Sequence, residues 1–106
     1  MASGRLGAAN VAAITITDVY TVPASTLTSC NINICNRNTT EAKIRIAISD
    51  TSVTQGTDEF IEYDTSVPGN GVLERTALLL DAGKILTVYS DVSNISAVVM
   101  GVEEAI

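Results

Sequence analysis

Apolar and polar residues alternate along several short runs of this chain, and this period of two predicts β-strands. The clearest run has Ile44, Ile46 and Ile48 alternating with Lys43, Arg45 and a small residue. Such alternation puts the isoleucines on one face of a strand and the charges on the other. Isoleucine is also β-branched, which favours the pleated strand over the helix. Because we find no run with the apolar spacing of three and four residues that a helix needs, we expect an all-β protein.

Clusters of turn-forming residues separate these runs. Residues 36–40 are rich in asparagine and predict a hairpin connection, and residues 81–83 predict a hairpin loop with Gly83 in the left-handed conformation. The proline and two glycines of residues 68–71 form the strongest turn signal. Seven or eight short strands result, which predicts an antiparallel β-sandwich of jelly-roll or immunoglobulin-like type. The pattern leaves the strand order open.

A chain of 106 residues is long enough for one domain with one core. We assign residues 11–106 to a single β-sandwich domain and residues 1–10 to an N-terminal arm. The arm is rich in small residues, and two states are open for it: it lies along a neighbouring molecule, or it is a disordered tail.

Two of the predicted strands are apolar on both faces, which indicates that a neighbour covers the side away from the core. One spans residues 72–80 and contains three consecutive leucines, and the other spans residues 95–102. The last strand also carries few charges to protect a sheet edge, and symmetric assembly is one way to cover it. The candidate interface residues are Val72, Leu79, Val98, Met100 and Val102.

Composition supports a covered surface and argues against two classes of partner. Charged residues make up 17% of the chain, against about 25% in typical domains, and depletion of charge marks interface cores. We therefore expect a homo-oligomer. The net charge of −6 argues against nucleic acid and against an anionic membrane surface. No apolar stretch approaches the roughly 20 residues of a membrane helix, and residues 1–10 do not resemble a signal peptide.

Both cysteines, Cys30 and Cys35, lie in one alternating run. Five residues of extended strand separate their Cα atoms by about 16 Å, whereas a disulfide needs about 4.4 to 6.8 Å. Their odd spacing also points the thiols to opposite faces. We expect free thiols within one chain, with a bond between copies left open. A zinc site would need a second pair or histidine ligands.

The chain has no histidine, which removes the usual general base, the commonest metal ligand and the Ser-His-Asp arrangement. Asp50, Asp58 and Glu59 could offer oxygens to calcium, but the regular spacing of a calcium loop is missing. A glycosidase would need two carboxylates across a cleft. We expect solvated acids at strand edges, no enzymatic activity, no cofactor and no metal. The candidate carboxylates are Asp58, Glu59, Glu62, Asp64, Glu103 and Glu104.

Tyrosine and arginine side chains have two interpretations each. Tyr20, Tyr63 and Tyr89 are candidates for a carbohydrate-binding platform, but aromatic residues make up only 4% of the chain, which favours a role in the core or at an interface. Arg75 could bind a phosphate or a partner's carboxylate. It alternates with Glu74 along a strand, which favours an exposed cross-strand ion pair.

Five stretches occur in a characteristic order. They are YTVPA at residues 20–24, NINICNRN at 31–38, KIRIAIS at 43–49, FIEYDTSVPGNGVLERTALLLDAGK at 60–84 and VYSDVSNISAVVMGVEE at 88–104. Together they resemble a group of small structural proteins of tailed bacteriophages, cyanophages among them, over residues 6–104. The resemblance implies a β-sandwich present in many symmetric copies in the virion, bound to the major capsid protein or to tail proteins. It carries no catalytic motif and transfers no site residue.

Our leading hypothesis is therefore a non-enzymatic structural component of a tailed-phage virion, a capsid decoration or cement protein that stabilises the particle. Two alternatives remain. One is a virion protein of the tail, neck or fibre, and the other is a carbohydrate-binding module for host attachment.

Overall fold

The structure is a computed structural model that describes residues 2–106, and every regular element in that range is a β-strand. The prediction of an all-β antiparallel sandwich is confirmed. The strands are β1 (Ser3–Val11), β2 (Thr17–Thr21), β3 (Thr26–Asn36), β4 (Ala42–Ser49), β5 (Phe60–Val67), β6 (Val72–Leu80), β7 (Ile85–Ser90) and β8 (Ile95–Ala105).

The strands form two four-stranded sheets, which we call sheet 1 and sheet 2. Sheet 1 has the order β1-β8-β3-β6 and sheet 2 has the order β2-β7-β4-β5. The first strand pairs with the eighth, the second with the seventh, the third with the sixth and the fourth with the fifth, all antiparallel. This is a long antiparallel hairpin rolled over on itself. Of the two sandwich types that the sequence allows, the strand order is that of the jelly roll.

Most connections pass from one sheet to the other. Residues 37–41 join β3 of sheet 1 to β4 of sheet 2, and residues 81–84 join β6 to β7 in the same way. The prediction of hairpins at these two places is wrong, although Gly83 does adopt a positive φ of 84°. Turn residues specify a local reversal of the backbone, but they do not specify which strand the chain pairs with next.

The core lies between the sheets and consists of the inward-facing residues of both. Isoleucines from β3 and β4 are its centre: Ile32, Ile34, Ile44 and Ile46 are each fully buried. The alternation of apolar and polar positions that predicts these two strands is therefore also the alternation between core and surface.

The N-terminal segment is part of the sandwich. Residues 3–11 form β1, which pairs with β8 of the same chain, so the structure shows an edge strand where we expected an arm. Small residues allow this segment to pack at the edge of sheet 1, close to β2. A Cβ atom added to Gly7 would lie 2.4 Å from the carbonyl oxygen of Val19, so only glycine lets β1 approach β2 this closely. Met1 lies outside the described residues.

Irregular pairing is confined to the edge strands. Register shifts occur in the pairs made by β1, β2, β5 and β6, and each adds residues to the edge strand. The inner pairs β3·β8 and β4·β7 keep an unbroken register. The last strand is thus internal, contrary to the edge position that we considered for it. Bulges twist an edge strand and discourage a further strand from pairing with it. Contacts with other molecules are therefore better made through the faces of the sheets.

Candidate protein-interaction site

The five predicted interface residues all lie on the solvent side of sheet 1. Residues directly opposite each other in an antiparallel pair share a face. Ser29 of β3 is opposite both Val102 and Leu79, and the same pairing places Val72, Val98 and Met100 on that side. The outer face of sheet 1 consists of Ser3, Arg5, Ala8 and Asn10 of β1, Ser96, Val98, Met100, Val102 and Glu104 of β8, Leu27, Ser29, Asn31, Asn33 and Cys35 of β3, and Val72, Glu74 and Leu79 of β6.

This face exposes large apolar side chains to solvent. Leu79 is 67% exposed, Val72 53%, Val102 47% and Met100 37%, while Val98 is partly buried. The strands that look apolar on both faces in the sequence are therefore covered by the core on one side only. Val98, Met100 and Val102 lie side by side along β8, and apolar side chains that are exposed together mark interaction sites.

Charge is scarce on the outer face of sheet 1. Its charged residues are Arg5, Glu74 and Glu104, and serine and asparagine supply most of its other polar positions. The five ion pairs found within residues 2–106 involve sheet 2, its loops or the gap between β5 and β6. The two outer faces of the sandwich thus differ, and the apolar, weakly charged one has the chemistry of an interface core.

One row of residues crosses the outer face of sheet 1 from edge to edge. Asn10 is opposite Ser96, Ser96 is opposite Cys35, and Cys35 is opposite Val72. The β1 end of this row opens into a shallow hollow of about 300 Å³, because the side chains there are small. Its lining residues are Ala8, Ala9, Asn10, Ser96, Ala97 and Val98. The β6 end of the same row carries the exposed side chain of Val72.

The contribution of β1 to this face was missed because the bulge hides its alternation. Arg5 pairs with Met100 and Ala8 pairs with Val98, so both point outward although three positions separate them. An extra residue between Arg5 and Gly7 shifts the period. The sequence does show that no charged residue lies between Arg5 and Asp18. This pattern indicates a strand whose solvent side is covered.

The cysteines point to opposite faces, as predicted. Cys30 is buried in the core and Cys35 lies partly exposed on the outer face of sheet 1, and both thiols are free. Burial raises the pKa of the Cys30 thiol, which lowers its thiolate fraction and its reactivity.

The tyrosines do not form one platform. Tyr20 is buried between the sheets, whereas Tyr63 and Tyr89 lie on the outer side of sheet 2 around Arg45. The Arg45 guanidinium carbon is 4.3 Å from the centre of the Tyr63 ring and 4.8 Å from that of Tyr89. Arg45 Nε also donates to Asp64 Oδ1 at 2.6 Å, and this hydrogen bond raises the pKa of Arg45 and lowers that of Asp64. The guanidinium occupies ring surface that a sugar would need.

Most of the candidate carboxylates have hydrogen-bond or ion-pair partners of their own. Glu59 accepts hydrogen bonds from the backbone N–H groups of Asp50 and Gly56, and so holds the β4–β5 loop. Asp50 itself pairs with Lys84 at 3.0 Å. No three side chains of the metal-ligating types come together within residues 2–106. These acids therefore close loops and balance cations.

Arg75 forms an ion pair with an acid on another strand, and that strand belongs to the other sheet. Its Nη1 atom lies 2.8 Å from Glu62 Oε2, so the ion pair joins β6 of sheet 1 to β5 of sheet 2 at the open side of the sandwich. Arg75 is opposite the inward-facing Ile32 and so points inward. Adjacent Glu74 points outward, because neighbours on a strand face opposite sides.

Comparison with models of protein families, with curated proteins and with solved structures found no match. None of the described residues belongs to a helix that is long and apolar enough to cross a membrane. The arguments for function therefore rest on the outer face of sheet 1.

Proposed function

We propose that this chain is a non-enzymatic structural component of a tailed-phage virion, where it assembles in multiple copies and stabilises the particle as a capsid decoration or cement protein. The observation that carries the proposal is the outer face of sheet 1, which exposes four large apolar side chains to solvent and carries few charges. Burying such a surface between protein subunits is favourable by roughly 25 cal/mol per Å² of apolar area.

Three further features support a building block. The bulged edge strands direct contacts to the faces of the sheets. Asp50, Glu59, Glu62 and Asp64 are engaged with backbone groups or cations, whereas the outer face of sheet 1 carries few charges. The chain also resembles small phage structural proteins in sequence, and jelly rolls recur in viral capsids as well as in lectins. Because one fold serves many functions, the fold supports the proposal without deciding it.

The presence of the chain in particles is the direct test. Particles of the phage that encodes the chain are purified by density gradient and their proteins are quantified by mass spectrometry. We expect the chain at hundreds of copies per particle, as for shell decoration. A few copies or about a dozen would place it in the neck or tail instead, and its absence from intact particles would refute the virion role.

The role of the outer face is tested in the same phage. A Leu79→Asp substitution puts a charge in place of the most exposed apolar side chain of this face, and we expect it to lower the copy number and the temperature at which particles release DNA. Ile14→Asp is the matched control, because Ile14 is also an exposed apolar residue, 72% accessible, but lies in the β1–β2 loop. Equal incorporation of both variants would contradict a role for this face.

A further inference from the structure

We propose that the outer face of sheet 1 is the contact between two copies of this chain, related by a two-fold axis that runs parallel to the strands. This inference deepens the proposed function by naming the partner that covers this face. It rests on the proposed function only for the idea that the face is covered.

The symmetry determines which strands meet. A two-fold contact between two sheet faces is isologous and has its axis in the plane of the interface. When this axis runs along the strands between β8 and β3, β1 of one copy lies over β6 of the other, and β8 lies over β3. Each row of residues that crosses the sheet then meets the same row of the partner in reverse order.

The shape of the face is complementary to itself under this operation. In the row from Asn10 to Val72, the small β1 end holds the hollow of about 300 Å³ and the β6 end holds the exposed Val72. The axis places Val72 of each copy over the hollow of the other. The row that contains Ser3 and Leu79 repeats the pattern, with a small residue on β1 and a large exposed one on β6.

The charges on the face agree with the same operation. Arg5 lies on β1 and Glu74 on β6, one row apart, and neither forms an ion pair among the described residues. The axis brings Arg5 of each copy next to Glu74 of the other, so two equivalent ion pairs form at the rims. An axis running across the strands would instead stack β1 on β1 and β6 on β6, which separates Arg5 of each copy from Glu74 of the other.

The size of the face favours a reversible dimer. At about 4.8 Å between strands and about 3.4 Å per residue, its projected area is on the order of 500 Å² per copy. The accessible area exceeds the projection because the side chains are uneven, but it stays near or below the roughly 800 Å² per partner of a standard interface. We therefore expect a monomer–dimer equilibrium that depends on concentration.

Sedimentation velocity of the purified chain over a range of concentrations tests the contact. We expect a species of twice the 11.1 kDa chain mass at high concentration. Val72→Asp should raise the dissociation constant at least about tenfold, because the lining of the hollow contains no cation to pair with a buried charge. Ile14→Asp should leave the constant within about twofold, since surface changes away from a contact have small effects. A chain that stays monomeric throughout, or equal constants for the two variants, would overturn the proposal.

Charge reversal tests the symmetry. Arg5→Glu and Glu74→Arg should each weaken the dimer by roughly tenfold, since each turns two attractions into repulsions. The double variant restores both attractions and should return to within about twofold of the unmodified chain. Two weakened singles without rescue would rule out this axis. The outcomes are separate from those for particles: a monomeric chain that is abundant in virions refutes the dimer alone, and a dimer absent from virions refutes the virion role alone.

Discussion

The hydroxyl of Tyr20 donates a hydrogen bond to Glu103 Oε2 at 2.5 Å, although the two residues are 83 positions apart. The Tyr20 oxygen also lies 2.8 Å from the buried hydroxyl of Thr28. This group ties β2 of sheet 2 to β3 and β8 of sheet 1. It therefore holds together the two layers whose outer faces have different chemistry.

Removing this hydroxyl should destabilise the fold without changing its shape. Tyr20→Phe leaves the Thr28 hydroxyl without its tyrosine partner, which costs roughly 1–3 kcal/mol for a buried polar group. We expect a matching fall in the free energy of unfolding measured with urea. Tyr63→Phe is the control, because Tyr63 is exposed, and it should change stability by less than about 0.5 kcal/mol. Equal effects of the two substitutions would contradict the role of Tyr20.

Raising the pH into the alkaline range should remove the stabilisation that the same interaction provides. Burial, followed by the hydrogen bond to Glu103, raises the pKa of Tyr20 from 10.0 to about 12. Since the pKa is higher in the folded state, this stabilisation is complete below pH 10 and is lost as the pH rises toward 12. The loss should be on the order of 2 kcal/mol. Urea midpoints at several pH values between 9 and 12 should fall more steeply for the unmodified chain than for Tyr20→Phe. If the urea midpoints of the two proteins fell in parallel, Tyr20 would have the same pKa in the folded and the unfolded state.

A buried asparagine should be the most sensitive polar position at one end of the sandwich. Asn36 is fully buried, and its Nδ2 atom donates to the carbonyl oxygens of Thr40 and Val67, while its Oδ1 atom accepts from the N–H of Asn38. Asn36→Ala leaves these groups unpaired, and we expect a loss of roughly 2–4 kcal/mol. Asn33→Ala, on the outer face of sheet 1, should cost less than about 0.5 kcal/mol in the same urea measurement. A small effect at Asn36 would mean that water replaces its side chain.

The sequence predicts which side chains of a strand face the core well where the strand is regular and poorly where it bulges. Ile32 and Ile44 lie in β3 and β4, inner strands that must keep a strict period of two because neighbours pair with them on both sides. Edge strands have no such constraint, so β1 and β6 absorb extra residues and lose the period. The outer face of sheet 1 could therefore be predicted from β8 and part of β6, but the hollow next to β1 could not. Strand order depends on long-range packing, which turn residues do not encode.

The stability of the fold should depend on how easily residue 77, in the bulge of β6, adopts a positive φ. Ala77 has a φ of 58°, and its N–H donates to Asn31 Oδ1 at 3.1 Å. Glycine adopts a positive φ without strain, whereas a β-branched residue does not. Ala77→Gly should be neutral or stabilising by up to about 1 kcal/mol, and Ala77→Val should destabilise by roughly 1–2 kcal/mol. The opposite order in thermal unfolding would show that β6 does not bulge at this residue.

The two thiols should react at different rates, and this difference reports on the outer face of sheet 1. Cys35 is partly exposed on that face, whereas Cys30 is buried and its thiol pKa is raised by burial. In dilute native protein a thiol reagent should modify one cysteine per chain rapidly, and Cys35→Ser should remove that fast phase. Cys30 should react only on unfolding, because its thiolate is disfavoured and inaccessible. If two copies meet through this face, the fast phase should slow as protein concentration rises, with Val72→Asp abolishing the slowing. Rapid reaction of both thiols would contradict the strand register that separates them.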